Sequence, residues 1–259
     1  MATWEAVRAE AERMFERHTQ SCIRLAASIR FNSENRQHLL SLCLYCSVIE
    51  LCPSLVILIQ RGEFIGLPHL IRSMYEASID LANALKNPEY FESLYAGYLA
   101  KLIGVMQQAH DSAAPGFITA TGSIEAIRSF LKEKKKELAA LKKAGHEPLQ
   151  IGQRFEIAVG NQEYLSAYAY LCGYAHNDIA ALEARHLRKC EDGDVKLIVF
   201  EEIGAQNETH LIDLANTVLL GASGRTHRFF ESDDAVEIDS LVQELNAFRE
   251  QWPAEKESR

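Results

Sequence analysis

Residues Leu39 to Gln60 read LLSLCLYCSVIELCPSLVILIQ, and the fold turns on whether this run lies in lipid or in protein. The run approaches the roughly 20 apolar residues that a membrane helix needs. Glu50 and Pro53 stand near its middle, and an acid at the centre of a bilayer costs about 2.5 to 3.5 kcal/mol on insertion scales. No second segment of this kind occurs. Helices apolar all round are also what the core of a large bundle holds. The segment therefore reads as a buried core helix of a soluble protein, with no membrane role.

Composition agrees with a globular reading. The 259 residues are 47% hydrophobic and 24% charged, with 14 Gly and 6 Pro, enough to bury a sizeable core. Acidic side chains outnumber basic ones, 36 to 27, for a net charge of -9. That charge repels a phosphate backbone at long range, so any nucleic-acid role is confined to a cleft. The opening MATWEAVRAEAERMFERH has no apolar run of signal-peptide type. Six cysteines sit mostly among apolar neighbours, as reduced core thiols do. The expected location is the cytoplasm.

Apolar spacing of three and four dominates elsewhere and predicts an all-α bundle of about seven or eight helices. The first runs from near Thr3 to Ile29 and ends before the turn FNSEN. Pro68 opens HLIRSMYEASIDLANALKN, and Asn87-Pro88 closes it and starts the next helix. From Ile124, an a/d rhythm through Ile127, Leu131, Leu138 and Leu141 has Lys134 at the missing seam position, which marks a partly exposed helix. Its lysines, interleaved with Glu133 and Glu137 and with no aromatic platform beside them, read as a solvated face. A shorter helix precedes an uncharged one from Tyr164 to His176, and Asp192-Gly193 centres a small β-hairpin near 187–201. Two more helices complete the chain. Residues 1–253 are expected to form one domain, and 254–259 a frayed tail.

Two helices carry the candidate chemistry. After Pro68, the residues His69, Arg72, Ser73, Glu76, Asp80 and Asn83 share an arc of about 100°. The bland reading is a wet face with an Arg72–Glu76 pair. On the other helix His176 closes the uncharged run and shares its face with Leu165, Ala169, Cys172, Gly173 and Ala180. Small neighbours there predict burial, and a buried imidazole needs partners for both nitrogens. Either a backbone carbonyl or tyrosine supplies them, or the polar arc of Arg72, Glu76 and Asp80 does.

LIQRGEFIGLPHLIRSMYEASIDLANAL resembles the segment around an R-S-x-x-E-A signature in an uncharacterised bacterial all-helical family, and YLCGYAHND resembles that family's second signature, a Tyr-rich helix ending in His. The resemblance covers roughly residues 50 to 180. It implies a helical bundle in which Arg72, Glu76 and His176 converge, and no assigned activity. More loosely, the chain is similar to HEPN-like domains, helical dimers many of which are metal-independent ribonucleases of toxin and phage-defence systems. Their R-x4-H motif occurs here as Arg13 and His18 in RMFERH, about 140° apart on a helix. Leu171 stands five residues before His176, so the motif is missing there.

Cys43-x-x-Cys46 and Glu183-x-x-His186 each form half a metal site without its other half. No Gly-rich phosphate loop or nucleophile elbow occurs. No metal and no cofactor are expected. The reading is a binding or interaction module with a polar cluster of Arg72, Glu76 and His176, joined by Asp80. Its expected partners are a second copy of the chain and a small ligand or protein, with RNA only under the ribonuclease alternative.

Overall fold

The computed structural model describes residues 3–112, 123–160, 164–175, 178–190, 193–199 and 203–253. Helix α1 (Trp4–Ala26) starts at Thr3, whose hydroxyl accepts from the Ala6 amide. It ends three residues before the predicted Ile29, where Ser28 turns back to the Leu25 carbonyl. Helix α2 (Arg36–Gln60) begins earlier than its apolar run, because Asn35 caps the amides of Gln37 and His38. After a short 3₁₀ turn (Phe64–Gly66), α3 (Leu67–Lys86) opens with Pro68 in its first turn.

Next come α4 (Tyr90–Asp111), α5 (Ile124–Lys143) and α6 (Ile151–Ala158), the last held by a capping box of Gln150 and Gln153. A π-helical turn (Tyr164–Tyr168) leads into α7 (Ala169–Ala175). A further short helix, α8 (Ile179–His186), is capped by Asp178. Strands β1 (Leu187–Lys189) and β2 (Val195–Leu197) pair antiparallel with Leu187 opposite Leu197. Asp192 lies outside the described residues, while Gly193 takes the positive φ of 88° that the turn requires. Helices α9 (Ala205–Phe229) and α10 (Ala235–Arg249) complete an all-α bundle with one small hairpin.

The helix at the centre is α9. It packs against α1, α2, α3 and α10 and buries residues on almost every side, among them Leu211, Ile212, Ala215, Leu219, Ala222 and Ser223. Small side chains there let neighbours approach, and buried hydroxyls such as Ser223 and Thr226 are satisfied by their own helix. Tyr45 of α2 donates to Ser223 Oγ at 2.9 Å, and Ser223 in turn donates to the Leu219 carbonyl at 2.8 Å. Helix α2 departs from its predicted role. It buries Tyr45, Val48, Cys52, Leu55 and Ile59 along one face, but its other face carries Leu39 at 41% and Ile57 at 53% exposure. It is also the one helix among the described residues long and apolar enough to cross a membrane, with a mean hydropathy of 2.2.

Helices α4 and α5 run antiparallel as a pair with their own small apolar cluster, Met106, Ile127 and Leu131. Across that pair Tyr95 donates to Glu137 at 2.8 Å, and Glu137 also accepts from Lys134 at 2.8 Å. The lysine at the broken seam position is therefore matched by a carboxylate.

The bundle closes with an ionic clasp between α1 and α10. His18 is fully buried, with Nδ1 at 3.0 Å from Asn216 Oδ1 and Nε2 at 3.2 Å from Glu244 Oε2, and Arg17 pairs with the same carboxylate. Burial acts to raise the Glu244 carboxyl, but the His18 hydrogen bond and the Arg17 charge outweigh it and hold the group below its ordinary value. A carboxyl lowered in the fold adds stability that is present above the unfolded-state value and lost as pH falls through the folded one. Glu244→Gln is therefore expected to lower the urea midpoint at about pH 7 and to lose its disadvantage as pH falls below the ordinary carboxylate range. Equal deficits above and below that range would remove Glu244 from the acid limb.

Candidate ligand-binding site

The polar arc of α3 is real, but it serves two separate clusters. At its N-terminal end Arg72 Nη2 lies 3.0 Å from Glu76 Oε1. Tyr168 joins them, donating its hydroxyl to Glu76 Oε1 at 2.7 Å while accepting from Arg72 Nη2 at 3.3 Å. Burial first, and then the neighbouring Glu76, push the Tyr168 phenol well above its usual value, so it serves as a neutral donor. Its ring packs on Phe155 of α6 at 4.7 Å between centroids, and Phe155 stacks on Tyr75 of α3 at 5.6 Å. A half-buried i,i+4 pair is thereby anchored to the core.

The second cluster forms two turns further along. Asp80, 7% exposed, accepts from Arg154 Nη1 at 3.0 and 2.7 Å and from the Tyr90 hydroxyl at 2.6 Å. Asn83 donates to the Arg154 carbonyl at 2.9 Å, and Lys86 reaches the Ala158 carbonyl at 2.5 Å. Asp80 and Asn83 thus face protein rather than water, and together with Lys86 they fasten α6 onto α3. The expectation that Asp80 joins Arg72 and Glu76 in one cluster is corrected by this geometry: its carboxylate is taken by α4 and α6. Ser73 simply bonds the His69 carbonyl of its own helix at 3.1 Å.

His176 lies outside the described residues. The face predicted for it is not a buried one: Ala169 and Ala180 are exposed, and Cys172 and Gly173 are half-buried. Tyr168 and Leu171, which follow from a π turn into α7, take the core-facing positions instead. Ala180 belongs to a different helix altogether. On α1, Arg13 bonds Glu10 at the surface while His18 is sealed inside, so these two side chains do not meet. Cys43 and Cys46 are exposed, and no group of three metal-ligating side chains occurs among the described residues.

Beside the Asp80 cluster, between α4 and α6, a cavity of roughly 220 Å³ opens to solvent. Tyr90, Leu94, Tyr98 and Leu149 give it apolar and aromatic walls, and Lys101 and Arg154 give it two cations. Gly97 also lines it, and a Cβ built there meets nothing within 4 Å. A glycine inside a helix costs about 0.5 to 1 kcal/mol relative to alanine, and no packing neighbour demands it here. What its missing side chain leaves is open volume. Tyr98 extends a stacked row with Tyr95 and Phe91, at 5.9 and 5.8 Å, so an aromatic platform does accompany the lysine helix, contrary to the expectation from sequence.

Periodicity points to none of Tyr168, Arg154, Tyr90 or Lys101, because each acts through a distant stretch of chain. The helix-interior Gly97 is the one signal that could have drawn attention to this face. Asp80→Ala leaves Arg154 and Tyr90 without their acceptor and is expected to cost about 3 to 5 kcal/mol in urea unfolding. The apolar triple Asp80→Leu, Arg154→Met, Tyr90→Phe is expected to recover most of that loss. A mild Asp80→Ala phenotype would deny the cluster its structural part.

A search of curated proteins and a search of solved structures each return no match. A profile of a family of unknown function, DUF5677, matches residues 38–195, a span that opens on α2, closes on the hairpin and contains both polar clusters and the cavity. The chain belongs to that family.

Proposed function

We propose that this protein is a binding module whose ligand is a small acid with a single flat ring, taken up in the cavity between α4 and α6. The observation that carries the reading is the pairing of two cations, Lys101 and Arg154, with aromatic and aliphatic walls around a volume of roughly 220 Å³. Pockets of this kind use apolar walls for affinity and a few fixed polar groups for orientation. Arg154 is fixed from behind: Asp80 takes the protons of Nη1, and the buried Nε meets no acceptor among the described residues. A guanidinium has five donors, so a carboxylate or phosphate can be met without releasing Asp80.

Size and charge narrow the class. The cavity volume equals that of about seven liquid waters, which admits one ring with its acidic group. The chain's net charge of -9 opposes long polyanions. The ribonuclease alternative draws no support from Arg13 and His18, which point to opposite environments.

Benzoate is the simplest probe, with benzamide as its neutral isostere. At about a hundredfold over its dissociation constant, benzoate is expected to raise the melting temperature by about 5 to 10 °C. Benzamide is expected to do far less. Gly97→Leu, whose Cβ has open space around it and whose branches extend into the cavity, should keep the helical spectrum and abolish the benzoate shift. Equal shifts from benzoate and benzamide, or a benzoate shift retained in Gly97→Leu, would sink the proposal.

A further inference from the structure

Helix α2 carries two rows of residues on opposite sides, both at steps of four and three. Ser41, Tyr45, Val48, Cys52, Leu55 and Ile59 face the core. Leu39, Cys43, Cys46, Glu50, Pro53 and Ile57 are exposed, and Arg36 and Gln60 extend that row by three at each end. A repeat of seven residues is the pattern by which one helix packs its side chains between those of another. Lipid imposes no such period. The buried row meets its partners inside the bundle. At the ends of the outer row Arg36 pairs with Glu92 over the Phe91 ring and Gln60 donates to Glu16, which leaves the stretch from Leu39 to Ile57 open to a partner.

We infer that the exposed row of α2 is a homodimer seam, on which the α2 of a second copy lies antiparallel. The row reads alike in both directions about Val48. A two-fold axis on the outer side of the helix, level with Val48, sets Leu39 on the partner's Ile57, Cys43 on the partner's Pro53 and Cys46 on the partner's Glu50. Each contact is then made twice, as an isologous interface requires. The apolar side chains meet towards the ends, and each Glu50 meets a Cys46 near the middle.

Charge supports the same direction. Just beyond the seam, the exposed Glu34 of one copy comes beside the partner's Arg61. Antiparallel helices also set each positive N-terminus against a negative C-terminus. A parallel pair would stack Glu50 on itself and leave these charges unmatched. Glu50 is equally out of place in a bilayer but tolerable beside a thiol at a seam rimmed by solvent.

The test is oligomeric state with compensating substitutions. At about 100 µM, light scattering is expected to give twice the chain mass of 29.1 kDa. Leu39→Glu and Ile57→Lys should each raise the dissociation constant by about thirtyfold or more, with melting temperature held because both positions are exposed. The double variant should regain the dimer, since each new acid then faces a new base across the two-fold. A wild-type monomer overturns the proposal, as does a dimer indifferent to the single variants or a double variant that stays monomeric. Sedimentation of the wild type with phosphatidylcholine vesicles, lost in Leu39→Glu, would assign the row to lipid and overturn it too.

Discussion

One carboxylate ties α3, α4 and α6 together. Asp80 sits at the point where α3, α4 and α6 meet, and it accepts from Arg154 and Tyr90 at once. A buried charge is tolerable only when its partners are complete, and here an arginine and a phenol supply them. The arrangement fixes the angle between α4 and α6, and the gap left between them is the cavity. The same contact determines which way Arg154 faces, so the stability of the fold and the polarity of the cavity rest on the same oxygen atoms.

Much of the architecture was legible in the residue pattern. Caps, prolines and apolar spacing located the helices to within a few residues, and Asp192-Gly193 located the hairpin. The Arg72–Glu76 contact was legible for the same reason: partners four apart on one helix need no tertiary information. Arg154 was not, since it stands 74 residues from Asp80 and nothing in local periodicity links them. The misreading of α2 has a related origin. A helix apolar all round looks the same whether protein surrounds it or merely covers one side, and burial is decided by where α9 lies.

The other departure lies beside the π turn at Tyr164–Tyr168. Helical-wheel reasoning assumes a uniform 100° per residue and says which residues share a face, not which face turns inward. Here Tyr168 and Leu171 take the inward side, which brings the phenol to Glu76 and leaves Ala169 outward. Nothing in the composition of YLSAY announces it. π turns arise where an extra residue is accommodated in a helix without lengthening its axis by a full turn.

That accommodation gives the segment an unusual sensitivity to chain length. A residue lost from a connection between helices would be absorbed by the loop. One lost between Tyr164 and Tyr168 would convert the turn to ordinary α-helix and swing α7 by about 100° about the axis. The phenol would leave the Arg72–Glu76 pair, and the ring would leave Phe155. Relatives of this chain can therefore vary the composition of the segment more readily than its number of residues, and a gap in that window would mark a protein whose α3 face is built on another plan.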